Sequence, residues 1–138
     1  MSELIYDYYI AGPLFNVYER AFQRDLEQAI APFGKTFLPQ RDCPQDRPEL
    51  IFSACVEGVR GSRIVVANLS GVDVDSGTAF EVGFAYALGK PIYGIRSEME
   101  ICLPDRVIAP NLMLKDAANI FATVSELAIA LREERDGV

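Results

Sequence analysis

Six consecutive residues, Ile64-Val65-Val66-Ala67-Asn68-Leu69, are apolar with one interruption and no alternation. A strand with one wet face alternates in polarity, whereas a strand covered on both faces does not, so this run predicts the centre of a parallel sheet sandwiched between helices. The rest of the chain has the matching pattern. Shorter β-prone runs near Ile5 to Ala11, Lys35 to Leu38 and Pro91 to Ile95, with a weaker one near Asn119 to Phe121, are separated by longer segments of helical period. In Val17 to Ala31 the apolar positions recur every three and four residues while Arg20, Arg24, Asp25, Glu27 and Gln28 fill the other face, as in an amphipathic surface helix. Further helices are expected over Pro48 to Gly61, Thr78 to Leu88 and Val124 to Glu134, with Gly89 and Pro91 as a stop after the third. Gln40 to Arg47 and Ser97 to Pro110 are polar, proline-bearing and aperiodic, and read as surface loops beside a pocket. The expectation is an α/β fold in one domain over residues 1–138, with about five strands and flanking helices.

Composition removes several function classes. The 13 basic and 20 acidic residues give a formal charge of −7, so no basic field invites a nucleic-acid polymer. No apolar run approaches the roughly 18 residues that cross a bilayer, and Met1-Ser2-Glu3-Leu4 lacks the start of a signal peptide, so the expectation is a soluble, cytoplasmic protein with no membrane partner. Cys43, Cys55 and Cys102 are odd in number, widely spaced and without histidine, which suits neither a zinc site nor a disulfide framework. Cys55 reads as a small buried apolar residue rather than a reactive thiol. The absence of histidine leaves carboxylates, thiols, tyrosines and lysines to carry chemistry near neutral pH.

Carboxylates stand where an α/β protein holds its ligand. Asp73-Val74-Asp75-Ser76-Gly77-Thr78-Ala79-Phe80-Glu81-Val82-Gly83 follows the central strand and opens the next helix. Glu81 is expected in the first turn, where the helix dipole favours its ionised form and a nucleophilic carboxylate is one reading. Thr78-Ala79-Phe80-Glu81 also fits a capping box, in which Thr78 caps and Glu81 reaches back. Ser76-Gly77-Thr78 reads either as a turn and cap or as a cradle of amides for an anion, and Asp75 as a site carboxylate or a turn residue. Tyr9 lies on the first strand, which ends at Gly12-Pro13. It is either a core aromatic or the donor that positions Glu81.

Together these segments resemble the nucleoside 2-deoxyribosyltransferase family. The matching pieces are Tyr9-Ile10-Ala11-Gly12-Pro13-Leu14-Phe15, Phe37-Leu38-Pro39-Gln40-Arg41-Asp42, Val65-Val66-Ala67-Asn68-Leu69, the stretch from Asp75 to Ala85, Gly89-Lys90-Pro91 and Asn111-Leu112-Met113-Leu114, in the family's order. The resemblance implies a flavodoxin-like, doubly wound domain that moves a 2-deoxyribosyl group between nucleobases. It makes Glu81 the nucleophile at the anomeric carbon, Tyr9 its positioning partner and Asp75 the residue that contacts the base and helps protonate the leaving nitrogen. Gly12, Phe15, Ser76 and Gly77 would surround the substrate, and Asn111 with Met113 would complete the sugar pocket of a neighbouring subunit in a homo-oligomer of shared active sites. The implied partners are small-molecule nucleosides and free bases, and two displacements at one carbon call for neither metal nor organic cofactor. Many members carry aspartate where this chain has Cys55, and often aspartate where it has Arg63. Alternatives are hydrolysis of a nucleoside 5′-monophosphate, with Arg20, Arg41 or Arg47 as phosphate ligands or as surface charge, and a non-catalytic base or nucleotide sensor.

Overall fold

The computed structural model describes residues 3–138. β1 (Tyr6–Ala11), β2 (Thr36–Phe37), β3 (Ser62–Asn68), β4 (Ile92–Ile95) and β7 (Asn119–Phe121) form one parallel sheet in the order β2-β1-β3-β4-β7. From β1 the chain winds outward to β2, then returns and winds the other way through β3, β4 and β7. The reversal falls between β1 and β3, where open sheets of this kind hold a ligand in the crevice beyond the carboxyl ends of the strands.

Alternate residues of β1 and β3 feed two cores, which is why β3 shows no alternation in sequence. Tyr8, Ile10, Ile64 and Val66 pack against Leu26 and Ile30 of α1 (Val17–Ile30) and Leu127 and Leu131 of α6 (Val124–Asp136). Tyr9, Ala11, Val65 and Ala67 pack instead against Val59 of α3 (Ile51–Arg60) and Val82 and Ala85 of α4 (Ser76–Ala87). Each buried aliphatic side chain contributes about 1.5–3 kcal/mol, so both faces are strongly held. Side-chain caps start the outer helices: Asn16 accepts from the Glu19 amide and Thr123 from the Glu126 amide.

Three local features depart from the sequence reading. Residues 101–109, expected as loop, form an antiparallel hairpin of β5 (Ile101–Leu103) and β6 (Arg106–Ala109) around Pro104-Asp105. Its strands are short and mostly half-exposed, with only Ala109 fully buried, so no regular alternation marks them. The single-turn helix α2 (Pro39–Asp42) overlaps the loop expected from Gln40, and a second, α5 (Leu112–Lys115), follows the loop expected to end at Pro110. The segment expected to enter α3 at Pro48 begins with a 3-10 turn, Pro48–Leu50. Among the described residues no helix is long and apolar enough to cross a membrane, and no group of three His, Cys, Asp or Glu is placed to hold a metal ion.

Candidate active site

Tyr9 is fully buried, its ring stacked on Phe37 with centroids 5.2 Å apart and planes 15° from parallel. Gly58 in α3 makes this seating possible. A Cβ there would stand 2.9 Å from Tyr9 Cε2 and 3.0 Å from Phe37, so only glycine lets the helix close over both rings. The Tyr9 hydroxyl is thereby aimed at Glu81 and Cys55, and burial together with the Glu81 charge holds it protonated, far above an ordinary tyrosine. Gly58 did not figure among the expected site residues, although an isolated glycine inside a helical pattern is the sequence signal of such a close approach.

Glu81 sits in the second turn of α4, because the helix begins earlier than expected. Asp75 is the N-cap: its Oδ2 accepts from the Thr78 amide and the Thr78 hydroxyl, each at 2.9 Å. The Thr78–Glu81 capping box therefore does not form, since Asp75 already satisfies the donors of the first turn. Ser76-Gly77-Thr78 is the first turn itself. Glu81 is left to burial rather than to the helix dipole, and burial pushes its carboxyl up to about 7; the nearby Tyr9 hydroxyl pulls the other way and the Asp75 charge raises it further. The hydroxyl lies close enough to favour the carboxylate without reaching a hydrogen bond of ordinary geometry. Tyr9 Oη and Glu81 Oε2 are both buried with no hydrogen-bond partner. Orphaned buried polar atoms are costly and concentrate where a ligand completes the set.

A cavity of about 530 Å³ opens on Glu81 between α3 and α4, walled by Phe52, Cys55, Gly77, Phe80 and Phe84. The β3–α4 connection that carries Asp73 and Asp75 is clamped from β4 by Arg96, which is 6 % exposed. Arg96 Nη1 donates to the Leu69 carbonyl at 3.0 Å and the Gly71 carbonyl at 2.6 Å, and the Gly71 amide donates to Glu98 Oε1 at 3.1 Å. Only Arg96, at the end of an apolar strand, hinted at this clamp in the sequence.

On the β1 side, Gly12 lies at the strand end, where a Cβ would meet the buried Gln23 amide at 2.4 Å. Phe15 stands 82 % exposed, its amide donating to Glu19 Oε1 at 2.9 Å. Arg20 donates to the Leu14 carbonyl, and Arg41 pairs with Glu27 at 2.7 Å and with Asp42 at 2.8 Å. Arg47 pairs with Glu49.

The sequence profile of nucleoside 2-deoxyribosyltransferases matches residues 8–113, which runs from within β1 to the start of α5. The chain belongs to the nucleoside 2-deoxyribosyltransferase family. Its fold is also that of a 2-deoxyribosyltransferase from Leishmania mexicana, at 25 % identity and TM-score 0.71, over 93 % of this chain and 97 % of that one. A 2-deoxyribosyltransferase from Bacillus psychrosaccharolyticus superposes with TM-score 0.72 at 24 % identity over 91 % and 95 % of the two chains. A CMP N-glycosidase from Clostridium botulinum does so with TM-score 0.59 at 20 % identity over 91 % and 97 %, and these last two likenesses are of fold. No curated protein matches the chain in sequence.

Against the family pattern, two positions gain a structural meaning. Arg63 lies near the amino end of β3, opposite the crevice, where it pairs with Glu134 and approaches Asp7, so its departure from the common aspartate does not touch the site. Cys55 does touch it, as a partly exposed cavity wall rather than a fully buried filler. Asn111 and Met113 are not brought to Glu81 within the chain. Asn111 caps α5, accepting from the Met113 amide at 2.9 Å, and both residues line a separate cavity of about 660 Å³ on another stripe of α4. Met113 is 74 % exposed there.

Proposed function

We propose that this family member transfers a 2-deoxyribosyl group from one nucleobase to another by double displacement through a glycosyl ester on Glu81. The observation that supports the reading is the buried carboxyl of Glu81, unpaired beside the Tyr9 hydroxyl and opening into a cavity of about 530 Å³ between α3 and α4. Ionised Glu81 attacks the anomeric carbon as the bond to the base lengthens, and the oxocarbenium-like charge that develops is met by the carboxylate. Tyr9 holds the oxygen that does not bond. Asp75, with Oδ2 committed to Thr78, presents Oδ1 to the leaving base and shares the proton its ring nitrogen takes up. A second base then attacks the ester from the vacated face, and two inversions return the starting configuration.

A neutral nucleoside suits the site better than a nucleotide. At the start of α1 the Glu19 amide is taken by Asn16 and the Phe15 amide by Glu19, and Arg20, Arg41 and Arg47 each engage a carbonyl or a carboxylate. A 5′-phosphate entering here meets the Glu19 carboxylate rather than free cations. The sugar pocket, on this reading, is completed by Asn111 and Met113 of a second copy, since both are exposed and face away from their own Glu81.

The test mixes a deoxynucleoside with a different free base and separates the products by chromatography. Formation of the exchanged nucleoside is expected, with deoxyadenosine turned over faster than deoxyadenosine 5′-monophosphate. Faster release of base from the monophosphate, with no exchange, would overturn the proposal.

A further inference from the structure

Cys43 and Cys55 are twelve positions apart in sequence, yet their sulfurs stand 3.4 Å from one another. The fold makes this meeting rigid on one side. The Cys43 amide closes α2 on the Pro39 carbonyl at 3.0 Å, and the Gln45 side chain donates to the carbonyls of both Pro39 and Cys43. Cys43 is 3 % exposed, inside the same apolar cluster as Tyr9. Cys55 reaches across from α3, faces the Tyr9 hydroxyl and forms part of the wall of the Glu81 cavity. A small solute that enters the cavity therefore meets one sulfur, with a second directly behind it. The reaction proposed for Glu81 uses neither thiol.

We propose that Cys43 and Cys55 are a dithiol–disulfide modification site, closed by a small peroxide admitted through the Glu81 cavity and reopened by thiols, and that its closure is felt by Tyr9. Cys55, as thiolate, attacks one peroxide oxygen; the O–O bond breaks, an S–O bond forms, and the hydroxide released takes up a proton to become water. The Cys43 sulfur then displaces the oxygen from Cys55, and its proton leaves with that oxygen as a second water. Two thiols have lost two electrons and two protons, and one peroxide has become two waters. Burial pushes the Cys43 thiol up to about 12, which suits it to the second step rather than the first. Bonded sulfurs are about 2.05 Å apart, so closure must bring the two sulfurs roughly an ångström closer and shift Cys55, which faces the Tyr9 hydroxyl.

The experiment treats the protein with limiting hydrogen peroxide, blocks the remaining thiols with iodoacetamide and maps the tryptic peptides without reduction. Both cysteines fall in fragment 42–60, which trypsin leaves whole because Pro48 follows Arg47. The expected product is that fragment unalkylated and two hydrogens lighter, restored by dithiothreitol, with exposed Cys102 still alkylated. Base exchange is expected to fall several-fold on closure and to recover on reduction. In Cys43→Ala the link cannot form, and Cys55 is expected to proceed to a sulfinic acid that dithiothreitol does not reverse. A sulfinic acid at Cys55 of the unaltered chain with no link, a link made through Cys102, or closure that leaves the exchange rate unchanged would each overturn the proposal. The peptide map reads the thiols directly, so its outcome stands whichever reaction the cavity catalyses.

Discussion

Burial of Glu81 without a cationic partner sets the behaviour of this site with pH. Its carboxyl is raised to about 7, chiefly by burial, so near neutrality it is shared between a protonated form that cannot attack carbon and an ionised form that can. kcat/KM for exchange is expected to rise with pH through an apparent pKa near 7 and then level. A profile flat from pH 5 to 8 would contradict this assignment. The same shift acts on stability. The folded chain holds the Glu81 proton more tightly than the unfolded chain does, so this contribution is fully present below the unfolded value of about 4.5 and is lost as pH rises through about 7. The lost contribution is on the order of 3 kcal/mol. Glu81→Gln is therefore expected to abolish exchange yet melt higher than the parent at pH 8, with the difference vanishing near pH 4, as thermal melts at the two pH values would show.

The placement of Tyr9 on the first strand and of Asp75 and Glu81 at the entry to the helix after the central strand was legible, because strand, carboxylate and glycine punctuation converge there. Their division of labour was not, since a capping box and an Asp-capped helix differ only in where the first turn begins. Cys43 was invisible as a neighbour of Cys55 because only the packing of α2 against α3 brings the two together.

At the scale of elements, the site rests on two close approaches. Gly58→Ala adds a methyl 2.9 Å from a ring fixed between β1 and Phe37. Overpacking costs about 1–3 kcal/mol, more than the 0.5–1 kcal/mol that alanine gains over glycine in a helix, so net destabilisation is expected. Denaturant melts should show it, together with a fall in kcat larger than any change in KM as Tyr9 is pushed from Glu81. Arg96→Met removes the clamp on the β3–α4 connection and leaves the Leu69 and Gly71 carbonyls without their donor. A loss of about 2 kcal/mol is expected by the same measurement. The order of strands and long helices was legible because the strands read as short apolar runs and longer segments of helical period separate them. The β5–β6 hairpin was not, for its strands are only three and four residues long and mostly exposed, too short to set up a readable alternation.

For the whole molecule, exposed Phe52, Phe80, Leu112 and Met113 leave apolar surface beside both cavities, of the kind that association between copies covers. If Asn111 and Met113 serve a neighbour's Glu81, two damaged chains can repair one another. Glu81→Ala and Asn111→Ala, each poorly active alone, are expected to regain a substantial fraction of exchange when dissociated and reassembled together. Mixtures no better than the sum of the separate variants would place every working residue in one chain. The parallel sheet between helices was legible from the spacing of its elements, and its doubly wound order came from the family resemblance.

The most direct measurement is to incubate the protein with a nucleoside fluorinated at C2 of its sugar, so that the ester forms but breaks slowly, and to map the adduct by peptide mass spectrometry. The expected result is a single fluorosugar on Glu81, released when a free base is added. An adduct on any other residue, or none in a preparation that demonstrably exchanges bases, would contradict the central role given to that carboxylate.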